Sequence, residues 1–375
     1  MLNPLTHPNY CPLLYKSLHV TEDNTHISAG HCCISPMVIR TTTLDFYNDK
    51  FLVDSRNNWP TTQIDSCKAC WDNEAQNYPS YRQHNIEWSK ALGSDPTTAE
   101  LLRLDYSVGK LCNAKCIICG PHASTTWMAE DYKFSKVKQT FKIFEHPTNS
   151  LVQHLDLSKL QILYLIGGEP LMSMTPVELL KKIEEQGNIS NLVCQLSTNG
   201  SIKPSAELIN YWKKCKGVQI FASIDAIGSA FEYIRHPLDW QEVEDNLDYM
   251  LSISPNIQVD ISMVLGLHNI DELENTYLWY KSKKWNSQKT QFTIAPCQGT
   301  YAFNNATNNL LAIWKDKISK MTYPWKDQVL NLLSIPGNIN NNKWMLHLKK
   351  MDIRRNIVWS DHLPNLYKVY QLIDA

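Results

Sequence analysis

Through the middle of the chain, short apolar or β-branched runs alternate with longer stretches in which apolar residues recur every three or four positions. The runs are LLRLDYS (101–107), LQILYLI (160–166), LVCQLS (192–197), VQIFASI (218–224), IQVDISMVL (257–265) and TQFTIAP (290–296). Most are continuous rather than alternating, which predicts parallel strands buried on both faces. Helical periodicity fills 175–186, 204–215, 240–251 and 269–282. "SMTPVE" and "HNIDELE" read as helix starts, each with a capping residue and acids in the first turn. Six strands with five crossovers predict a parallel α/β sheet, either open and doubly wound or a partial barrel. No repeat of 20–50 residues stands out beyond this rhythm.

Both architectures place their chemistry at the C-terminal ends of the strands. There the sequence puts a cysteine loop after the first run, GGEP after the second, TNGS after the third, DAIG after the fourth and CQGTY after the sixth. The flanks differ. Residues 1–98 hold five cysteines, many prolines and little periodicity, while 301–375 reads as mostly helical, with asparagine-rich loops at NNATNN and NINNN.

The chain has 375 residues, 43% of them hydrophobic, enough for a sizeable core. A formal net charge of −1 gives no global field to recruit nucleic acid or an anionic membrane. The basic stretch HLKKMDIRR (347–355) reads as a solvated amphipathic helix face. The N-terminus lacks the charged start and apolar run of a signal peptide. The longest apolar runs fall far short of the roughly 20 residues that span a bilayer. The expectation is a cytoplasmic protein with reduced thiols and no membrane or nucleic-acid partner. Eleven cysteines, an odd number, then call for a metal or catalytic explanation.

The stretch GKLCNAKCIICGPH (109–122) supplies three thiols, Cys112, Cys116 and Cys119, from one short loop. Structural zinc takes four protein ligands, and His122 is available as a fourth. A four-iron four-sulfur cluster is held by thiolates, and ligation at three irons leaves the fourth open to a substrate. The loop alone leaves zinc, an iron–sulfur cluster and incidental clustering all open.

With the other strand ends, the sequence resembles the radical S-adenosylmethionine (SAM) superfamily. That family carries Cys-x3-Cys-x2-Cys after the first barrel strand and GGEP after the second. The resemblance implies a partial (β/α)6 TIM-like barrel over 99–300, between a cysteine-rich auxiliary segment over 1–98 and a helical extension over 301–375. It implies that Cys112, Cys116 and Cys119 hold the SAM cluster and that Gly167, Gly168, Glu169 and Pro170 receive the SAM amino group. Glycines permit close backbone approach, and a carboxylate suits an ammonium. Ser197, Thr198 and Asn199, then Ser223 and Asp225, match the next two SAM-contacting strand ends, and Arg235 stands where relatives have an arginine that reaches the SAM carboxylate. One departure is Gly120–Pro121 after the third cysteine, where relatives often carry an aromatic residue.

The N-terminal cysteines resemble the auxiliary cluster segments called SPASM or twitch domains, here ahead of the barrel. The implied ligands of a second iron–sulfur cluster are Cys11, Cys33, Cys67 and Cys70, with Cys32 as the alternative to Cys33. Zinc on the same residues is not separated by spacing. Ser80 and Arg82 match a Ser-x-Arg element of that subgroup, and Cys194 and Cys215 read as packing thiols. The implied activity is reductive cleavage of SAM to a 5′-deoxyadenosyl radical, which abstracts hydrogen from a peptide or small molecule for oxidation, cross-linking or epimerisation. A reductant such as flavodoxin or ferredoxin follows from that chemistry. Cys297 and Tyr301, after the sixth run, are candidate hydrogen donors to a substrate radical. The competing reading is a zinc- or cluster-binding scaffold on the same barrel without catalysis.

Overall fold

The structure is a computed structural model and describes residues 3–22, 26–75, 79–135, 155–283, 285, 290–337 and 343–374. The chain forms two compact units. The first comprises Met1–Leu111, Lys142–Leu196 and Pro204–Gln219; the second comprises Cys112–Phe141, Ser197–Lys203 and Ile220–Ala375.

Nine strands are present among the described residues: β1 (Ser17–Glu22), β2 (Ile27–Gly30), β3 (Ile39–Thr41), β4 (Arg103–Ser107), β5 (Ile162–Ile166), β6 (Val193–Thr198), β7 (Gly217–Ser223), β8 (Ile257–Leu265) and β9 (Phe292–Pro296). The strands β4 to β9 occupy the six predicted runs. In the first unit the order is β3-β2-β1-β4-β5-β6, and the second holds β8 and β9 with β7 from Ile220 onward. The pairs β4–β5, β5–β6 and β8–β9 are parallel, with Leu104 opposite Leu163 and Leu163 opposite Cys194. The fold is mixed α/β with a parallel sheet, as expected of a partial barrel of this class.

The helices between these strands follow the predicted periodicity. Thr175–Glu185 buries Val177, Leu180 and Ile183 at helical spacing. Ala206–Lys214 buries Leu208 and Trp212, and its cap Ser205 accepts the Leu208 amide at 3.2 Å. Trp240–Ile253 is capped by Asp239, which accepts the Glu242 amide at 2.8 Å. The predicted start at HNIDELE differs in one respect. Asn269 precedes a 3-10 turn, and its carboxamide donates to the Asp225 and Val264 carbonyls at 2.9 and 3.0 Å and accepts the Gly266 amide at 2.9 Å. It clasps strand ends instead of capping a helix.

Burial along β5 to β7 alternates, although the sequence runs are nearly continuous. Leu163, Leu165, Cys194 and Leu196 are fully buried. The opposite face of the first unit's strands carries a polar layer. Arg103 pairs with Asp105 at 2.7 Å, lies 5.3 Å from the Tyr164 ring and donates to Gln195 at 3.3 Å; Gln195 donates to Gln219 at 2.8 Å. A face holding Arg, Tyr and Gln cannot pack as the second side of an apolar layer.

The N-terminal region is more regular than its sequence predicts. Strand β1 pairs in parallel with β4, setting Leu18 opposite Leu104, and antiparallel with β2. Its partner lies over 80 residues away, so local periodicity cannot reveal the pairing. Helices Lys50–Asn58, Lys68–Ala75 and Tyr81–Leu92 complete the region. Tyr10, Leu13, Leu14, Tyr15, Trp59 and Ile64 form a small core that includes Cys11 and Cys32. Buried Arg56 donates to the Leu14 and Phe46 carbonyls at 2.8 and 2.9 Å, satisfying buried backbone outside the strands.

The described residues of 301–375 are mostly helical, as expected, with helices Asn308–Ser319, Lys326–Leu333, Lys343–Arg355, Trp359–His362 and Pro364–Asp374. NNATNN contains a helix start, where Thr307 accepts the Leu310 amide at 3.3 Å. NINNN lies outside the described residues. The HLKKMDIRR helix is not a solvated face at its end, since the Arg355 side chain is fully buried. Among the described residues no helix is long and apolar enough to cross a membrane.

Candidate functional site

The loop after β4 is built in two parts. In the first unit, its root is tied to the turn after β5. The Gly168 amide donates to the Gly109 carbonyl at 2.8 Å, and the Glu169 amide donates to the Leu111 carbonyl at 2.7 Å. Gly167 adopts φ +122, which L side chains avoid, and a Cβ there would lie 2.7 Å from the Gly109 oxygen. A Cβ at Gly168 would overlap the Leu111 oxygen and lie 2.8 Å from the carbonyl carbons of Lys110 and Leu111. Both glycines therefore exist to let two backbones touch. Glu169 is fully buried, and its carboxylate accepts the Leu171 amide at 3.1 Å, capping the short turn that Pro170 begins.

In the second unit, Cys112, Cys116 and Cys119 are half-buried residues of one loop. The Cys112 amide donates to Thr125 at 3.2 Å, and the Cys116 carbonyl accepts the Trp127 indole N–H at 2.8 Å. The Lys115 and Ile117 amides donate to the His236 and Ile234 carbonyls at 2.7 and 2.8 Å. Asn113 donates to Ser201 at 2.8 Å and accepts from Asn199 at 2.9 Å, while Asn199 accepts the Ser201 hydroxyl at 2.7 Å. This closed ring of amides and hydroxyl fixes the loop against the residues after β6. Thr198 accepts the Gly200 amide at 3.1 Å. Asn113 and Ser201 have no signal of their own in the sequence; only their convergence on Asn199 reveals them.

Asp225 and Arg235 are both buried and form an ion pair at 2.7 Å. Asp225 also accepts the Val264 amide at 2.8 Å. The Arg235 guanidinium stands 3.8 Å from the Cys116 sulfur. Burial pushes the Cys116 thiol up to about 12, and the Arg235 charge works against that rise. Ser223 is half-buried at the end of β7. His122 is exposed, with its ring against Gly120. The thiol of Cys297 donates to the Gln298 carbonyl at 3.4 Å. Tyr301 is buried, shares a 2.7 Å hydrogen bond with His347 Nδ1 and packs 5.0 Å from the His268 ring.

A second thiol group lies in the first unit. Cys11, Cys32, Cys67 and Cys70 line one small pocket with Leu13, Ile34, Tyr81 and Arg82. Cys33 does not line it. Its amide donates to Asp105 at 3.0 Å, and burial together with the Asp105 charge pushes its thiol up. Adjacent residues in a tight turn point apart, and here Cys32 takes the inward direction. Burial pushes Cys32 up to about 12 and Cys67 up to about 11. Arg82 explains the Ser-x-Arg element. It pairs with Glu74, donates to the Tyr10 carbonyl at 2.8 Å and lies 4.9 Å from the Trp71 ring. Ser80 and Gln83 form a reciprocal capping box at the start of the same helix. Among the described residues no three His, Cys, Asp or Glu side chains converge on a point as ligands of a single ion do. Cys194 and Cys215 are buried in packing layers.

No curated protein matches the chain. Its similar solved structures include anSMEcpe with bound AdoMet, at 14% identity and TM-score 0.39, covering 58% of each chain. Streptococcus suis SuiB bound to S-adenosylmethionine is also similar, at 14% identity and TM-score 0.35, covering 75% of this chain and 52% of that one. The chain thus spans a little over half the length of these structures, and likeness this low bears on neither fold nor activity. The family comparison is direct: residues 106–280 match the Radical SAM superfamily model, from β4 through the helix that follows β8. Residues 106–280 are therefore a radical SAM superfamily domain.

Proposed function

We propose that this chain is a SAM-dependent radical enzyme that abstracts hydrogen from a peptide or small-molecule substrate to oxidise, cross-link or epimerise it. The observation that carries the reading is the three-thiol loop of Cys112, Cys116 and Cys119, set inside a domain of this family beside the buried guanidinium of Arg235. Soft thiolates suit an iron–sulfur cluster, and a fixed cation offsets part of the charge they bring. When bound, the cluster supplies the electron that splits the sulfonium bond of SAM and frees a 5′-deoxyadenosyl radical. The chain's own residues position the reactants. Gly167, Gly168, Glu169 and Pro170 form the turn for the SAM amino group. Ser197, Thr198, Asn199, Ser223 and Asp225 offer polar contacts, and Arg235 serves both the loop and the SAM carboxylate.

The four pocket thiols, Cys11, Cys32, Cys67 and Cys70, are the proposed ligands of a second cluster, in place of a set containing Cys33. Their shared pocket supports this choice, and Arg82 supplies a counter-charge. Cys297 and Tyr301 remain candidate hydrogen donors; a Cys297→Ala variant with normal turnover would remove the first.

The test is anaerobic reconstitution. The expected result is a brown protein that forms 5′-deoxyadenosine from SAM only with a reductant such as dithionite, flavodoxin or ferredoxin. The triple variant Cys112→Ala/Cys116→Ala/Cys119→Ala should lose about four irons and all 5′-deoxyadenosine formation. A colourless protein that takes up zinc would overturn the reading in favour of a scaffold.

A further inference from the structure

The helix Lys343–Arg355 ends against the cysteine loop within the second unit. The Arg355 side chain is fully buried and donates to the Lys115 carbonyl, between Cys112 and Cys116, at 2.5 Å. Its guanidinium lies 5.3 Å from the Trp127 ring, whose indole holds the Cys116 carbonyl. Buried Glu130 forms an ion pair with Lys115 and stands 3.6 Å from Arg355. The neighbouring Arg354 is occupied elsewhere, pairing with Asp131 at 3.1 Å.

Among the described residues the ion pairs do not balance: Arg235 pairs with Asp225, whereas Lys115 and Arg355 both pair with the carboxylate of Glu130. A buried cation without a full partner is costly, and its field persists in a low-dielectric interior. An anionic guest in the loop supplies the missing partner. Outer groups that fix ligands and adjust charge are the usual means by which a protein tunes a metal centre.

We infer that Arg355 is a positioning residue for the cluster proposed above: it anchors the loop backbone through the Lys115 carbonyl, and its surplus positive charge raises the cluster's reduction potential. The inference rests on the loop holding a cluster. Arg355→Gln keeps a hydrogen-bond donor and removes the charge. Arg355→Lys keeps the charge and loses the planar fork over Trp127.

The assay is an electron paramagnetic resonance redox titration of the reconstituted full chain, following the signal that changes on adding SAM, with iron and sulfide counted in parallel. In Arg355→Gln the reduced fraction at a fixed poise should fall about tenfold, equivalent to about 59 mV for a one-electron couple. Arg355→Lys should stay within about twofold of the wild type. Full iron content with an unshifted potential in Arg355→Gln would overturn the inference while leaving the enzyme reading intact. If Arg355→Gln does not fold, Glu130→Gln decides. Removing that carboxylate should increase the reduced fraction, and no change or a decrease overturns the inference. A wild-type chain without a SAM-responsive cluster sinks the enzyme reading and this inference together.

Discussion

Gly168→Ala tests the close approach on which the loop root depends. The added Cβ would overlap the Leu111 carbonyl oxygen and lie 2.8 Å from the carbonyl carbons of Lys110 and Leu111. The oxygen overlap is the deeper one and sets the demand, so the two backbone segments must separate by about 1 Å to restore ordinary contact. Neither segment is the loose end of a side chain, so no rotamer change relieves the overlap. The hydrogen bonds at stake are Gly168 to Gly109 at 2.8 Å and Glu169 to Leu111 at 2.7 Å. At about 0.5–1.5 kcal/mol each they contribute about 1–3 kcal/mol. Overpacking adds about 1–3 kcal/mol. Because relieving the overlap is what stretches the bonds, the two overlap in part, and a loss of about 3 kcal/mol is expected. That leaves a domain of ordinary stability folded. The assay is urea unfolding of the purified chain, paired with iron content after reconstitution, since Leu111 directly precedes Cys112. Gly187→Ala is the control. Gly187 has a positive φ, +77, which Gly168 lacks, and open space around it, so its cost should be about 1 kcal/mol of backbone strain alone. If Gly168→Ala lost no more than Gly187→Ala and bound iron normally, the close-approach account would be refuted.

Cys32→Ala should lose the second cluster's iron, whereas Cys33→Ala should retain it; equal loss in both would refute the division between pocket-facing and strand-facing thiols. Arg82→Met strands Glu74 and the Tyr10 carbonyl. It should cost about 2–3 kcal/mol in urea unfolding, the low end for a buried pair because Glu74 is partly exposed. Acid should weaken the fold through two buried histidines. Burial, reinforced by Arg56 and Arg235 respectively, holds His31 and His268 down to about 3. Between about 6.5 and about 3 the unfolded chain binds protons that the folded chain refuses. Stability is therefore full above about 6.5 and falls as the pH is lowered. Urea midpoints across that range should show the slope, and His31→Gln should flatten it; a parent midpoint unchanged from pH 7 to 5 would contradict the reading.

What the sequence alone determined was local. The six runs that became β4 to β9 carry their strand signal within six to nine residues, and the helices between them carry their own apolar spacing and caps. The cysteine loop and GGEP were legible because both are contiguous residues at strand ends. What tertiary structure decided was every choice between equivalent neighbours or distant partners. Cys32 and Cys33 are indistinguishable in sequence, and only the turn and Asp105 send one into the pocket and the other away. Strand β1 became a strand because β4, far along the chain, offers it hydrogen bonds. Arg355 lies more than 230 residues from Lys115, so no periodicity could distinguish a solvated helix end from a buried guanidinium under the loop. Local pattern follows from backbone geometry within a few residues; charge pairing and burial are settled only when distant segments meet and water is excluded.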